Sequence, residues 1–189
     1  MATIIADDAL ALQRLYHWER TAPERVALTQ PLDGGVVRDY TWREVLDQSR
    51  RMAAHLLGLG LQPGDRIAIL SKNTAHWLMS DFAIWLAGCV SVPLFPTLAP
   101  GTIRQILEHS EARLLFVGKL DGWEEMRPGV PAGLPIVRLP LSSATEGMEW
   151  DAIVARTQPL GGNPVRDGDE LATIMYTSGT TGTPKGVIH

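Results

Sequence analysis

A single cysteine, Cys89, excludes an internal disulfide and fits a reducing compartment. Basic blocks are missing as well. Lys and Arg number 17 against 21 Asp and Glu, a formal charge of −4, and the positive residues are scattered. That pattern disfavours nucleic acid as a partner, since such binding rests largely on clustered Lys and Arg. The N-terminus, Met1-Ala2-Thr3-Ile4-Ile5-Ala6-Asp7-Asp8, has no basic start ahead of an apolar run, so no signal peptide is expected. An uninterrupted apolar span is also absent. The most apolar stretch, Trp77 to Phe95, is broken by Asp81, Gly88 and Pro93, whereas a spanning helix needs about 20 mostly apolar residues. A buried helix followed by a buried strand accounts for it. The expectation is a soluble, cytoplasmic protein with no transmembrane segment, peripheral membrane contact being left open. What remains is ordinary globular composition, 45% apolar and 20% charged. A chain of this length buries roughly 70% of the surface its unfolded form exposes.

Along the chain, Asp7 or Asp8 can cap a first helix carrying Leu12, Leu15, Tyr16 and Glu19 at helical spacing, with Pro23 ending it. Val26–Gln30 and Val36–Tyr40 read as strands around the hairpin signal Asp33-Gly34-Gly35. Thr41-Trp42-Arg43-Glu44 matches a capping box. The helix it opens puts Val45, Ser49, Met52, Ala53 and Leu56 on one face, and Gly58 and Gly60 stop it. Next comes an alternation: strand Arg66–Leu70, helix from about Thr74 to Ala87, strand Val90–Pro93, helix Thr102–Ser110, strand Arg113–Val117. Strands in alternation with helices imply βαβ units and a parallel sheet. Their short, continuous apolar runs suit strands covered on both faces. From Leu120 to Gly168 the pattern weakens to a short strand at Ile136–Leu139 and a short helix near Trp150–Arg156.

The chemistry concentrates near the C-terminus. An apolar strand, Leu171 to Tyr176, is expected to join the same parallel sheet. It runs into Thr177-Ser178-Gly179-Thr180-Thr181-Gly182-Thr183-Pro184-Lys185-Gly186, after which Val187-Ile188 favour a strand. Gly179, Gly182 and Gly186 allow unusual backbone conformations and close approach to a ligand. Hydroxyls and backbone N–H groups crowded in a small volume make an anion cradle, to which Lys185 adds a full charge. Phosphate oxygens are the natural guest. The loop departs from Gly-x-x-x-x-Gly-Lys-Ser/Thr at Pro184, at Gly186 and in the strand after it, so the P-loop NTPase reading fails.

The segment Tyr176 to Val187 instead resembles the signature loop of the adenylate-forming, AMP-binding superfamily. The likeness extends through His17-Trp18, Val26-Ala27-Leu28, Tyr40 to Val45, Leu61 to Ala68, Ser71-Lys72-Asn73 and Gly88 to Thr97, and is nearest to long-chain fatty acid–CoA ligases. It implies an α/β fold with a largely parallel sheet flanked by helices, part of the large N-terminal domain of such enzymes. In that family ATP and a carboxylic acid form an acyl-adenylate and pyrophosphate, and CoA as co-substrate then displaces AMP. The resemblance implies that Thr177, Ser178, Gly179, Thr180, Thr181, Gly182 and Lys185 hold the ATP phosphates, and that the Thr177 hydroxyl contacts Mg²⁺. No residue of the segment is assigned as catalytic. Residues 1–189 then read as an incomplete AMP-binding domain with its phosphate loop at 176–187. The adenine motif, ribose-binding aspartate, hinge and C-terminal domain would lie beyond His189, so the piece alone is not expected to turn over. Two alternatives stay open: an aryl- or amino-acid-adenylating enzyme that loads a carrier protein, and a non-catalytic nucleotide- or acyl-binding module.

Plainer readings fit the other candidates. Cys89 has no evident base and reads as a small buried residue. His17, His55, His76 and His109 lack metal-ligand spacing and read as surface or packing residues. Asp167, Asp169 and Glu170 would repel a phosphate and read as a solvated turn. Trp77 and Trp85 read as core. His189 stands near enough to the loop to face an acyl pocket.

Overall fold

The computed structural model describes residues 9–178 and 184–189. Its centre is a five-stranded parallel sheet in the order β4-β3-β5-β6-β7. The strands are β3 (Arg66–Leu70), β4 (Val90–Leu94), β5 (Leu114–Val117), β6 (Ile136–Arg138) and β7 (Met148–Glu149). Alternate residues face opposite sides, and both sides are covered. Ile67, Ile69, Leu114 and Phe116 meet helices α1 (Ala11–Thr21), α2 (Trp42–Gly58), α3 (Ala75–Leu86) and α6 (Trp150–Arg156). Ala68, Leu70, Val92 and Leu115 meet α4 (Pro100–His109) and the short α5 (Trp123–Met126). All four residues of β5 are 0% exposed, which is why that strand reads as an unbroken apolar run.

Local chemistry sets most boundaries where the residue pattern puts them. The hairpin β1 (Val26–Pro31) and β2 (Val37–Thr41) is antiparallel, and Gly34 and Gly35 take positive φ at its turn. The capping box forms in full: Glu44 N donates to Thr41 Oγ1 at 3.3 Å and Thr41 N to Glu44 Oε2 at 2.8 Å. Leu10 holds the N-cap position of α1 without a side-chain cap, and Asp7 and Asp8 lie outside the described residues. The buried face of α2 consists of Val45, Leu46, Ser49, Met52, Ala53 and Leu56. No helix among the described residues is long and apolar enough to cross a membrane.

One expectation is corrected. Arg66–Leu70, Val90–Leu94 and Leu114–Val117 share the parallel sheet, but the strand after Leu171 does not. Ile174–Ser178 (β8) pairs antiparallel with Pro184–Ile188 (β9) as a separate hairpin. Only a single parallel bridge, Ser91 to Thr173, ties it to the edge strand β4 among the described residues. The cause lies on that edge: two residues beyond Ser91 stands Pro93, which has no N–H with which to continue the ladder.

Two buried titratable groups lie on α3. His76 is 3% exposed, packed edge-on between Tyr40 and Trp150 with ring centroids 5.4 Å from each. Burial pushes its imidazole down to about 4. Asp81 is 7% exposed, and burial pushes its carboxyl up to about 6.

These features generate two predictions. Thr41→Ala should cost about 1 kcal/mol, read as a fall of roughly 2–4 °C in thermal midpoint for a domain of this size; an unchanged midpoint would remove the capping box from the account. The second concerns pH. His76 takes up its proton at about 4 when folded and 6.5 ordinarily, so its contribution is lost as pH falls through that window. Asp81 releases its proton at about 6 when folded and 3.8 ordinarily, so its contribution is lost as pH rises. The slopes oppose each other between pH 4 and 6. Asp81→Asn should match the parent near pH 4 and exceed it by roughly 3 kcal/mol at pH 7. Urea unfolding from pH 4 to 7 measures this, and parallel profiles would contradict it.

Candidate phosphate site on the β8–β9 hairpin

The ladder of this hairpin pairs Thr177 with Lys185, Tyr176 with Gly186 and Met175 with Val187. Directly opposed residues of an antiparallel pair project from the same face. Thr177 and Lys185 are therefore cross-strand neighbours at the point where the chain enters and leaves the loop. Both are exposed, as are Met175 and Val187 beside them. Ser178 ends β8, with its backbone paired to Pro184. Gly179, Thr180, Thr181, Gly182 and Thr183 lie outside the described residues. Of the seven phosphate-binding candidates, the structure thus brings together Thr177, Ser178 and Lys185.

The opposite face of the hairpin is its anchor. Tyr176 is 5% exposed and sits among the apolar residues on the α4 side of the sheet. Its hydroxyl lies 2.7 Å from His109 Nδ1 at the end of α4, with the rings edge-to-face. Burial raises the Tyr176 phenol above its ordinary range, with Arg66 opposing. Gly186, opposite Tyr176, has ordinary φ. A Cβ there would lie 3.0 Å from Ile174 Cγ2 and 3.4 Å from Tyr176 Cζ. Gly186 therefore makes room for its cross-strand neighbours, a packing reason in place of the backbone freedom expected from sequence.

At its base the hairpin meets the body of the protein through the Ala172 carbonyl. Ala172 O accepts from Ser91 N at 2.9 Å and from Trp85 Nε1 at 3.0 Å. Beyond this point β4 and β8 diverge. They leave an apolar slot of about 240 Å³ whose walls include Pro93, Phe95, Met175 and Thr177, with Trp77 and Asn73 beside them. The usual ligand crevice of an open parallel sheet lies where successive connections leave in opposite directions, here between β3 and β5. That crevice is closed: Lys72 N donates to Lys119 O at 2.9 Å, and a Cβ on Gly118 would overlap Ser71. The open space adjoins Thr177 instead.

The remaining candidates fall into plainer roles. Cys89 is fully buried and its thiol is pushed up to about 11 by burial, with Asp65 adding to the effect and Arg166 opposing. His189 pairs by its backbone with Thr173 and lines a different cavity, between Trp85 and the start of α1. Asp167, Asp169 and Glu170 knit a turn, Asp169 N donating to Asp167 Oδ1 at 3.0 Å and Asp167 N to Glu170 Oε1 at 3.0 Å. No cluster of three or more His, Cys, Asp or Glu suited to a metal occurs among the described residues. Thr177 can offer one hydroxyl oxygen, which fits a divalent ion that arrives largely coordinated by phosphate and water.

Comparison with known proteins now bears on this geometry. The chain is 34% identical over 179 residues to a long-chain-fatty-acid–CoA ligase of Mycobacterium bovis, covering 91% of this chain and 30% of that protein. The crystal structure of an anthranilate CoA ligase in complex with anthranoyl-AMP superposes with a TM-score of 0.76 at 25% identity, over 98% of this chain and 36% of that one. An acyl-CoA synthetase of Brucella canis superposes with a TM-score of 0.73 at 28% identity, over 89% and 31%. The chain thus spans about 30% of the length of such curated relatives. The profile of the family described as AMP-binding enzyme matches residues 15–189, and the chain belongs to that family.

Proposed function

We propose that this chain is the N-terminal part of an ATP-dependent acid–CoA ligase and that the loop between β8 and β9 receives the ATP phosphates. The observation that carries the reading is the pairing of Thr177 with Lys185 at the mouth of a loop rich in hydroxyls and glycine. A phosphate chain seated there would meet the Lys185 ammonium and the Thr177 hydroxyl from one face. The acid would attack the α-phosphorus of ATP, forming the acyl-adenylate and releasing pyrophosphate; CoA thiol would then displace AMP. Charge accumulates on the departing pyrophosphate as the first bond breaks, and a fixed cation beside it lowers that barrier. Mg²⁺ bound to the nucleotide would supply further charge neutralisation, with Thr177 as its one protein contact among the described candidates.

A fatty acid is proposed as substrate, supported by the 34% identity to a long-chain-fatty-acid–CoA ligase. The adenylate in a structure of similar fold supports the two-step chemistry, and the relatives named as CoA ligases favour CoA over a carrier protein as acceptor. The division of labour along the sequence is also part of the proposal. The chain contributes the phosphate loop, while the adenine site, the ribose site and the C-terminal domain belong to the rest of the ligase.

Two outcomes are expected. The purified 189-residue chain alone should release no AMP in the presence of ATP, fatty acid and CoA; robust turnover would refute the proposed division. In the full-length ligase, Lys185→Ala should slow adenylate formation by on the order of 10²–10³, about 3–4 kcal/mol. Transfer from preformed acyl-adenylate to CoA should be nearly unaffected. Thr177→Ala should act on the same half-reaction more mildly, because water can replace the hydroxyl. Single-turnover kinetics of each half-reaction decides the matter, and an equal fall in both would make Lys185 structural.

A further inference from the structure

We infer that Trp85 is a positioning residue for the Thr177–Lys185 pair at the mouth of the phosphate loop, acting through the Ala172 carbonyl. The inference rests on the proposed reading of that loop and adds a residue that makes no contact with it.

A peptide carbonyl has two lone pairs, and at Ala172 both are engaged. Ser91 N approaches from β4 at 2.9 Å and the Trp85 indole N–H from α3 at 3.0 Å. The Ser91 bond ties the segment to the edge of the sheet. The Trp85 bond comes from the helix layer beneath it, so the two fix the peptide in independent directions. This peptide is also the root of the hairpin: Ala172 N and Thr173 N both donate to His189 O, at 2.9 and 3.1 Å, and His189 N returns to Thr173 O at 2.9 Å.

Leverage makes the root matter. Thr177 stands five residue steps beyond Ala172, about 17 Å at the usual rise of a strand. A tilt of about 3° at the root then moves Thr177 and Lys185 by roughly 1 Å, a displacement that can cost on the order of 10²-fold when reacting groups are mispositioned. The contact between Tyr176 and His109 restrains the hairpin farther along, so removing the Trp85 bond should release only part of that motion. The indole is half-buried and nothing else among the described residues accepts from its N–H. The polar atom of this side chain is committed to the hairpin, while its rings pack with Phe82 on the same helix.

The test uses the full-length ligase carrying Trp85→Phe or, by noncanonical incorporation, Trp85→β-(3-benzothienyl)alanine, which keeps the bicyclic shape and replaces the N–H by sulfur. Adenylate formation at saturating ATP should fall about tenfold in both, the scale of one lost positioning hydrogen bond. CoA transfer from preformed adenylate should keep its rate, and the isosteric variant should lose no more than about 2–4 °C of thermal midpoint, the scale of one hydrogen bond. Replacing Trp85 with 5-fluorotryptophan, which retains the N–H, should restore the rate. Adenylation at the parent's rate in the isosteric variant would overturn the inference, as would both half-reactions falling together with the midpoint. Lys185→Ala is measured alongside. If it slows adenylation selectively and the isostere does not, the role of Trp85 alone is lost. If it is not selective, the phosphate reading falls and this inference with it.

Discussion

A parallel sheet must pair or blunt the backbone groups on its outer strands, and β4 does both within three residues. Val90 N donates inward to Asp65 O on the approach to β3, so the outward N–H positions are Ser91 and Pro93. Pro93 has no hydrogen to offer. Ser91 gives its own to Ala172 O. The edge therefore donates one backbone N–H to the hairpin segment and has none to offer at the next outward position. Had residue 93 carried an N–H, β8 could have continued alongside β4 as a sixth parallel strand. With proline there, β8 separates, finds β9, and turns the Thr177–Lys185 pair toward solvent above the slot.

The same register has a cost inside the protein. Ser91 lies opposite Ile67 on the face covered by α3, where Asp81 is buried. Asp81 Oδ1 and Ser91 Oγ have no hydrogen-bond partner among the described residues. Unpaired polar atoms in an apolar layer are destabilising, and the raised affinity of Asp81 for its proton is the local response. His76, one helical turn and a residue earlier, shows the converse response and sheds its proton more readily. The helix that fastens the hairpin through Trp85 thus also carries the buried His76 and Asp81.

Much of this architecture is legible in the residues, and the limits are physical. Strands that are buried on both faces announce themselves as short apolar runs, and Trp150–Arg156 has the bounds its pattern suggests. The elements Trp123–Met126 and Met148–Glu149 are too short to show a period. An apolar run says that a strand is buried but leaves its partner unspecified; the outcome at β8 is decided by Pro93, far from Thr173 in the chain. Trp85 reads as core because its rings are core, and the direction of its N–H depends on where the chain returns much later. Gly186 looks like a loop glycine in sequence, yet its space is taken by Tyr176 and Ile174. The proposed loop chemistry, by contrast, is read from the consecutive residues Thr177 to Gly186 alone, to which the structure adds the pairing of Thr177 with Lys185.

The strand after the loop also distinguishes the proposed site from the better-known phosphate cradles. Where a helix begins directly after a glycine-rich loop, its N-terminus brings free N–H groups and roughly half a unit of positive charge to the anion. Here the chain goes straight into β9 at Pro184. A strand has almost no net dipole, and the first residue of this one has no N–H at all. On the proposed reading no helix terminus adds to the N–H groups and hydroxyls of the loop, and Lys185 brings a full positive charge to its mouth. It is also held opposite Thr177 by the ladder, so the charge and the hydroxyl keep a fixed relation where the chain enters and leaves the loop. In a helix-based cradle the backbone positions the phosphate and lysine adds to an existing field. On the proposed reading the ladder of this hairpin sets Lys185 opposite Thr177, and the ammonium brings to the phosphates a full charge where a helix terminus would bring roughly half of one.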